Sequence, residues 1–179
     1  MLDARERKEL LQAARAAIAA RLAGGRFPVQ PAAGGLAMPR GAFVSLHERG
    51  SGELRGCIGS ITARETLLDT VVEAAVAAAT RDERFAPVQA AELAGLRIDI
   101  SALTPLYPIE SDEVEAGKHG LLVRYGGRSG LLLPQVAVEH GWDSERLLRM
   151  TCRKAGLPED TWHKPGCELQ AFEAEVFGD

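Results

Sequence analysis

The chain has no long hydrophobic run. No stretch reaches the roughly 18 apolar residues that a membrane-spanning helix needs, and the opening MLDARERKEL is charged from its third residue, without the apolar core of a secretory leader. Cysteine is scarce. Cys57, Cys152 and Cys167 are the three present, at wide and unequal spacings that match neither a disulfide framework nor a zinc pattern, so at least one thiol is expected to be free. Basic residues do not dominate: the net charge is −4, the pI is near 5.6, and scattered Arg and Lys offer no basic face to a phosphate backbone. No P-loop, GxGxxG, HExxH or GxSxG motif occurs, and no internal repeat. These absences argue against nucleic acid and membrane as partners and lead to the expectation of a cytoplasmic protein.

What is present is the composition of a folded domain. Apolar residues are 46% and charged residues 26% of 179, and a chain of this size buries about 70% of its unfolded surface. A single domain over 1–179 is expected, with an N-terminal helix and a Pro/Gly-rich loop over 1–40 and a core over 41–179. Residues 2–24 place Leu10, Leu11, Ala14, Ala17, Ile18 and Leu22 on one helical stripe that Gly24 and Gly25 end. Residues 41–60 read as strand, turn (RGSG) and strand. Thr62 and Glu65 stand at capping-box spacing before an Ala-rich helix to about residue 80. Residues 95–103 alternate as a half-covered strand, and 120–136 read as a hairpin with GGRSG at its tip and Pro134 closing its second arm. Helices around 135–140 and from Ser144 to about Ala155 follow, then one last strand near 168–177. Hairpins outnumber crossovers, so the expected class is α+β, with a mixed, largely antiparallel sheet flanked by helices.

The heptapeptide LRGCIGS, residues 54–60, concentrates the chemistry. If it is extended, Leu54, Gly56 and Ile58 face one way and Arg55, Cys57 and Gly59 the other. A guanidinium beside a partly exposed thiol favours the thiolate, the nucleophilic and metal-ligating form, and flanking glycines admit a ligand or a backbone close to the sulfur. Loop parity decides the neighbour across the hairpin. A three-residue tip puts Ser45 opposite Cys57 and His47 opposite Arg55; a two- or four-residue tip puts Leu46 or Val44 opposite Cys57. The structural alternative pairs Arg55 with Glu48 or Glu53 and leaves the glycines to satisfy turns.

A proton acceptor for such a thiol has to be found among His47, His119, His140 and His163. His119, in the turn GKHG before a strand, is the most suggestive, although a loop histidine is ordinarily solvated. TRDERF, residues 80–85, reads as a charged, solvated helix end rather than as a place where Asp82 and Arg84 enter a site. Glu139 and His140 are adjacent on a helix and point about 100° apart, which makes them a weak pair. Cys152, inside a helix, reads as a small core residue.

LRGCIGS, RDERFAPV, LRIDISALTPL, GKHGLLV, GLLLPQVAVEHGWD, CRKAGLP and TW occur here in an order that resembles the AMMECR-domain family, called AmmeMemoRadiSam system protein A in bacteria and archaea. The resemblance covers roughly residues 40–177, and the hexapeptide Leu54, Arg55, Gly56, Cys57, Ile58 and Gly59 is without departure. It implies a two-lobed α+β domain, a larger mixed-sheet part with a smaller second lobe, and a site at the hexapeptide. It also implies as partners a Memo-like protein, related to extradiol dioxygenases, and a radical SAM enzyme, in a shared modification or redox pathway. The expected function is therefore a thiol-dependent enzyme or enzyme component. Cys57 is the expected nucleophile, Arg55 its activator or an anion binder, and His119 the general base, with Gly56, Gly59 and Ser45 lining the substrate. The alternatives are a non-catalytic module docking on those partners, and a metal or cofactor handler using Cys57 and His119. Cofactor and oligomeric state stay open.

Overall fold

In the computed structural model, which describes residues 1–63 and 65–179, the N-terminal helix runs Ala4–Leu22 (α1). Asp3 starts it: its carboxylate accepts the Glu6 N–H at 2.8 Å, while the Glu6 carboxylate accepts the Asp3 N–H at 2.9 Å, a reciprocal capping box. Glu6 also accepts the Gly35 N–H at 2.7 Å, which ties the Pro/Gly-rich segment down onto the helix. The expected hairpin forms from β1 (Ala42–Glu48) and β2 (Leu54–Ser60). Helix α2 spans Leu67–Thr80, but its cap is Thr66, whose hydroxyl accepts the Asp69 N–H, and not Thr62 with Glu65. Thr66 is the residue directly before the apolar run Leu67-Leu68, so the helix starts where its buried face starts.

The chain divides into two units, Met1–Leu103 with Glu175–Asp179, and Thr104–Ala174. The first carries a sheet in the order β2-β1-β3-β8, with β3 at Leu96–Leu103 and β8 at Ala174–Gly178. Both β1–β2 and β1–β3 are antiparallel. Val44, Leu46, Ile98 and Ile100 are fully buried in one cluster with Leu10 and Ile18 of α1 and Leu67 and Val71 of α2. Alternation along each strand leaves the opposite face to polar residues. Gly56 belongs to the packed face: a Cβ there would collide with the Ala78 carbonyl of α2.

The second unit carries the sheet β4-β7-β5-β6, formed by Tyr107–Pro108, Glu168–Phe172, Gly120–Tyr125 and Arg128–Leu132, with helices α3 (Pro134–His140) and α4 (Ser144–Lys154). Its described strand pairs are antiparallel. Leu121, Leu147, Leu148 and Ala171 form its main cluster, and Cys152 is buried beside Val123 and Ala155. The α+β class is as expected, but there are two sheets instead of one. The β5–β6 turn is only Gly126-Gly127, both at positive φ, so Arg128, Ser129 and Gly130 belong to the strand and not to the tip. The single expected last strand is two, β7 and β8, interrupted at Glu173 and serving different sheets. No described helix is long and apolar enough to cross a membrane.

The seating of Gly56 on α2 makes a measurable difference. Gly56→Ala should cost about 1–3 kcal/mol, because backbone and not a flexible side chain must give way, whereas Gly50→Ala, with open space at its Cβ, should leave the urea midpoint almost unchanged.

Candidate functional site

Strand β2 is an edge strand, and Cys57 stands at its middle opposite Ser45 of β1. The Ser45 hydroxyl donates to the Cys57 sulfur at 3.1 Å. A bulge between Leu46 and His47 then sets His47 opposite Leu54, so Arg55 is the unpaired extra residue, and of the two pairings that a three-residue tip would give only Ser45–Cys57 forms. The outward-facing backbone groups of Cys57 are both taken. Its N–H donates to Asp82 Oδ2 at 2.8 Å, and its carbonyl accepts from Arg84 Nη2 at 3.4 Å. Two side chains from the segment after α2 thus stand where a neighbouring strand would.

Asp82 is the centre of this arrangement, its side chain only 5% exposed. Arg84 grips it with two donors, Nε to Oδ1 at 2.9 Å and Nη2 to Oδ2 at 2.7 Å. Those bonds, helped by the backbone N–H groups of Cys57 and Arg84, hold the carboxyl far below the usual carboxylate range although burial pushes it up. The Arg84 guanidinium is raised in return, first by Asp82, with charge at the Cys57 sulfur adding to the effect. The expectation of a solvated helix end at TRDERF is therefore overturned. Asp82 is drawn in because an edge-strand N–H and a guanidinium together offer it three hydrogen bonds, enough to offset its desolvation.

Arg55 is committed to a carboxylate and a backbone carbonyl. It pairs with Glu92 at 3.0 Å and donates to the Ala86 carbonyl at 2.8 Å, holding the segment after Asp82 against β2. Neither Glu48 nor Glu53 is its partner; the acid comes from a distant part of the chain. The hexapeptide's glycines also serve the chain itself. Gly56 is buried against α2, which takes up the expected substrate approach there, and a Cβ at Gly59 would collide with the Ala42 carbonyl and the Phe43 ring. Gly59 additionally lines a cavity of about 290 Å³ between β2 and α2, with Ile58, Ala74 and Ala77.

The register carries the polar face on into β3. Ser45, opposite Cys57, is also opposite Asp99, and His47 is opposite Arg97. His47 Nδ1 lies 2.9 Å from Asp99 Oδ2, turned out of line for a hydrogen bond, and Arg97 grips the same oxygen at 2.8 Å. His119 lies in the second unit and is buried, contrary to a solvated loop position. Its Nδ1 accepts the Glu115 N–H at 3.0 Å, and Tyr107 meets its ring edge-on at 6.4 Å. Gly120 follows because the Phe172 ring occupies the place of a side chain. His140 stacks on Trp142 and His163 lies tilted against Trp162, and both imidazoles are exposed.

The AMMECR1 family profile matches residues 11–177. The chain belongs to the AMMECR1 family. A Methanopyrus kandleri protein is 44% identical over 98% of this chain and 89% of its own length, and one from Methanosarcina acetivorans 42% identical over 99% and 93%. The crystal structure of an uncharacterized Pyrococcus horikoshii protein superposes with a TM-score of 0.81 at 38% identity, covering 96% of this chain and 90% of that one.

In this AMMECR1-family chain the site at Cys57 therefore joins LRGCIG to RDERF, and Asp82, Arg84, Glu92, Asp99 and His47 are members the sequence reading did not choose. The available signal was an Asp and an Arg two residues apart just past a helix end. Among the described residues no three His, Cys, Asp or Glu side chains are grouped to hold a metal ion. The two expected ligands, Cys57 and His119, fall in different units.

Asp82 makes acid stability legible. Its folded carboxyl titrates below its unfolded value, so its contribution is complete above the ordinary carboxylate range and fades as the pH falls from there toward the folded value. Asp82→Asn should lose about 1–3 kcal/mol at neutral pH, and the gap to wild type should close on acidification, as read by urea unfolding at stepped pH. A gap that stays constant would contradict the ionised pair.

Proposed function

We propose that this AMMECR1-family protein is a thiol-dependent enzyme or enzyme component with Cys57 as its nucleophile. One observation carries the reading: the Ser45 hydroxyl donates to the Cys57 sulfur at 3.1 Å. A donor aimed at sulfur fixes its orientation on the polar face of the sheet, where the thiol is partly exposed. Arg84, held beside Cys57 by the buried Asp82, adds positive charge on the same side of the strand. A cysteine serving only as core filler needs neither, and Cys152 has the contrasting setting of full burial.

The proton acceptor we assign is His47. It sits two residues from Ser45 on the same face of β1, and we assign it to tighten onto the thiol when substrate binds. Asp99 Oδ2 stands 2.9 Å from its Nδ1. His119, with Nδ1 committed to Glu115, is assigned to shaping its own turn. The resemblance to the AmmeMemoRadiSam group supports a Memo-like protein and a radical SAM enzyme as the proteins with which this activity is coupled, inside the cell.

Alkylation with iodoacetamide tests the reading without a known substrate: the S–C bond forms, iodide leaves, and the thiol proton passes to the base. Peptide mass spectrometry should find Cys57 labelled about tenfold or more faster at neutral pH than Cys152 and Cys167, both of whose thiols burial pushes up. Ser45→Ala and His47→Gln should each slow Cys57 by about threefold to tenfold. If Cys57 is as protected as Cys152, the thiol is architecture and the reading is wrong.

A further inference from the structure

Most of the described arginines of the first unit reach a carboxylate: Arg7 and Arg40 on Glu175, Arg15 and Arg49 on Asp179, Arg55 on Glu92, Arg84 on Asp82 and Arg97 on Asp99. Arg21, Arg26 and Arg81 break that pattern. None of the three has an acceptor among the described residues, and all three line one cleft between α1 and α2. Its wall is apolar, from Ala17 of α1, Phe27 of the following loop, and Val72 and Val76 of α2.

The cleft also holds two acids, and both are already committed. Asp69 accepts the Thr66 hydroxyl at 2.6 Å as part of the helix cap, and Glu73 has a partner of its own. The three guanidinium groups outnumber the two carboxylates, so the cleft presents a net positive charge beside an apolar floor. Guanidinium forks match carboxylate and phosphate oxygens, and the floor asks for hydrocarbon. The volume, about 240 Å³, is below the roughly 300–1,000 Å³ of drug-sized sites, which suits a short apolar group and not a docked helix.

We propose that the cleft between α1 and α2 binds a small amphipathic anion, a carboxylate or phosphate monoester carried on a short apolar body. Arg81 and Arg26 hold the anionic head, Arg21 adds to the field from the last turn of α1, and Phe27, Val72 and Val76 cover the body. This site is separate from Cys57: α2 covers the apolar face of the sheet, whereas the thiol stands on the polar face with Ser45. The proposal therefore stands or falls independently of the thiol chemistry.

Isothermal titration of the full chain with octanoate, octyl phosphate and octanol tests it. Both anions should bind, with octanol at least about tenfold weaker, and Arg26→Gln and Arg81→Gln should each weaken octanoate by about threefold to tenfold. All three arginines are exposed, so these variants should fold. Val76→Trp, which fills the cleft, should abolish binding while an unchanged thermal transition shows that the domain is intact. Failure of both anions to bind, equal binding of octanol, octanoate affinity indifferent to the arginine substitutions, or an acidic peptide outcompeting octanoate would each overturn the proposal.

Discussion

The first unit depends on one close approach, the seating of β2 on the last turns of α2 where position 56 has no side chain. With Gly56 against the Ala78 carbonyl, the helix ends beside the edge of the sheet and not a side chain's width above it. The chain leaving α2 can then turn back over that edge. Asp82, two residues past the helix, reaches the Cys57 N–H, and Arg84 reaches the Cys57 carbonyl. Any larger residue at 56 would lift the helix and carry both side chains away from the strand they cap.

That cap answers two physical problems with one pair of residues. An edge strand exposes unpaired backbone groups, and a buried carboxylate is costly unless it is paired and hydrogen-bonded. Asp82 and Arg84 satisfy the first at Cys57 and satisfy each other. Arg55 repeats the device further along, bonding Glu92 and the Ala86 carbonyl so that the segment between them stays against β2. The consequence for chemistry is rigidity. The sulfur is held by its own backbone from one side and addressed by the Ser45 hydroxyl from across the hairpin, and neither position depends on a mobile loop.

The glycines of LRGCIG look at first like room for a substrate, and their structural role is different. Gly56 admits a helix and Gly59 admits the Phe43 ring. The same motif is thus an architectural joint and the carrier of a thiol, and the joint is what brings Asp82, Arg84 and the sulfur to one place. Similar close approaches shape the second unit, where Gly120 yields to Phe172 and Gly130 to the backbone at Ala155. There they set β5 and β6 against their neighbours and leave His119 buried with its ring bonded within its own turn.

Much of this was open to local reasoning. Periodicity marked α1, β3 and α4, the turn-rich RGSG marked the first hairpin, and the spacing of apolar residues marked the core faces, because amphipathic elements write their buried side into the chain at intervals of two or about 3.6 residues. The motif blocks were also enough to mark the family and Cys57 as a point of interest. What local reasoning misplaced depends on residues far apart in the chain. The bulge that removes Arg55 from register, the choice of Glu92 over Glu48 or Glu53 as its partner, the break at Glu173 that sends β7 and β8 to different sheets, and the burial of Asp82 all have their cause in packing. The sequence by itself determined the elements, their apolar faces and the place of a glycine-flanked thiol, since these follow from each residue and its near neighbours. Only the tertiary structure decided which charge meets which, because a carboxylate enters the interior when a distant strand edge and a guanidinium arrive together to satisfy it, and that meeting has no local signature.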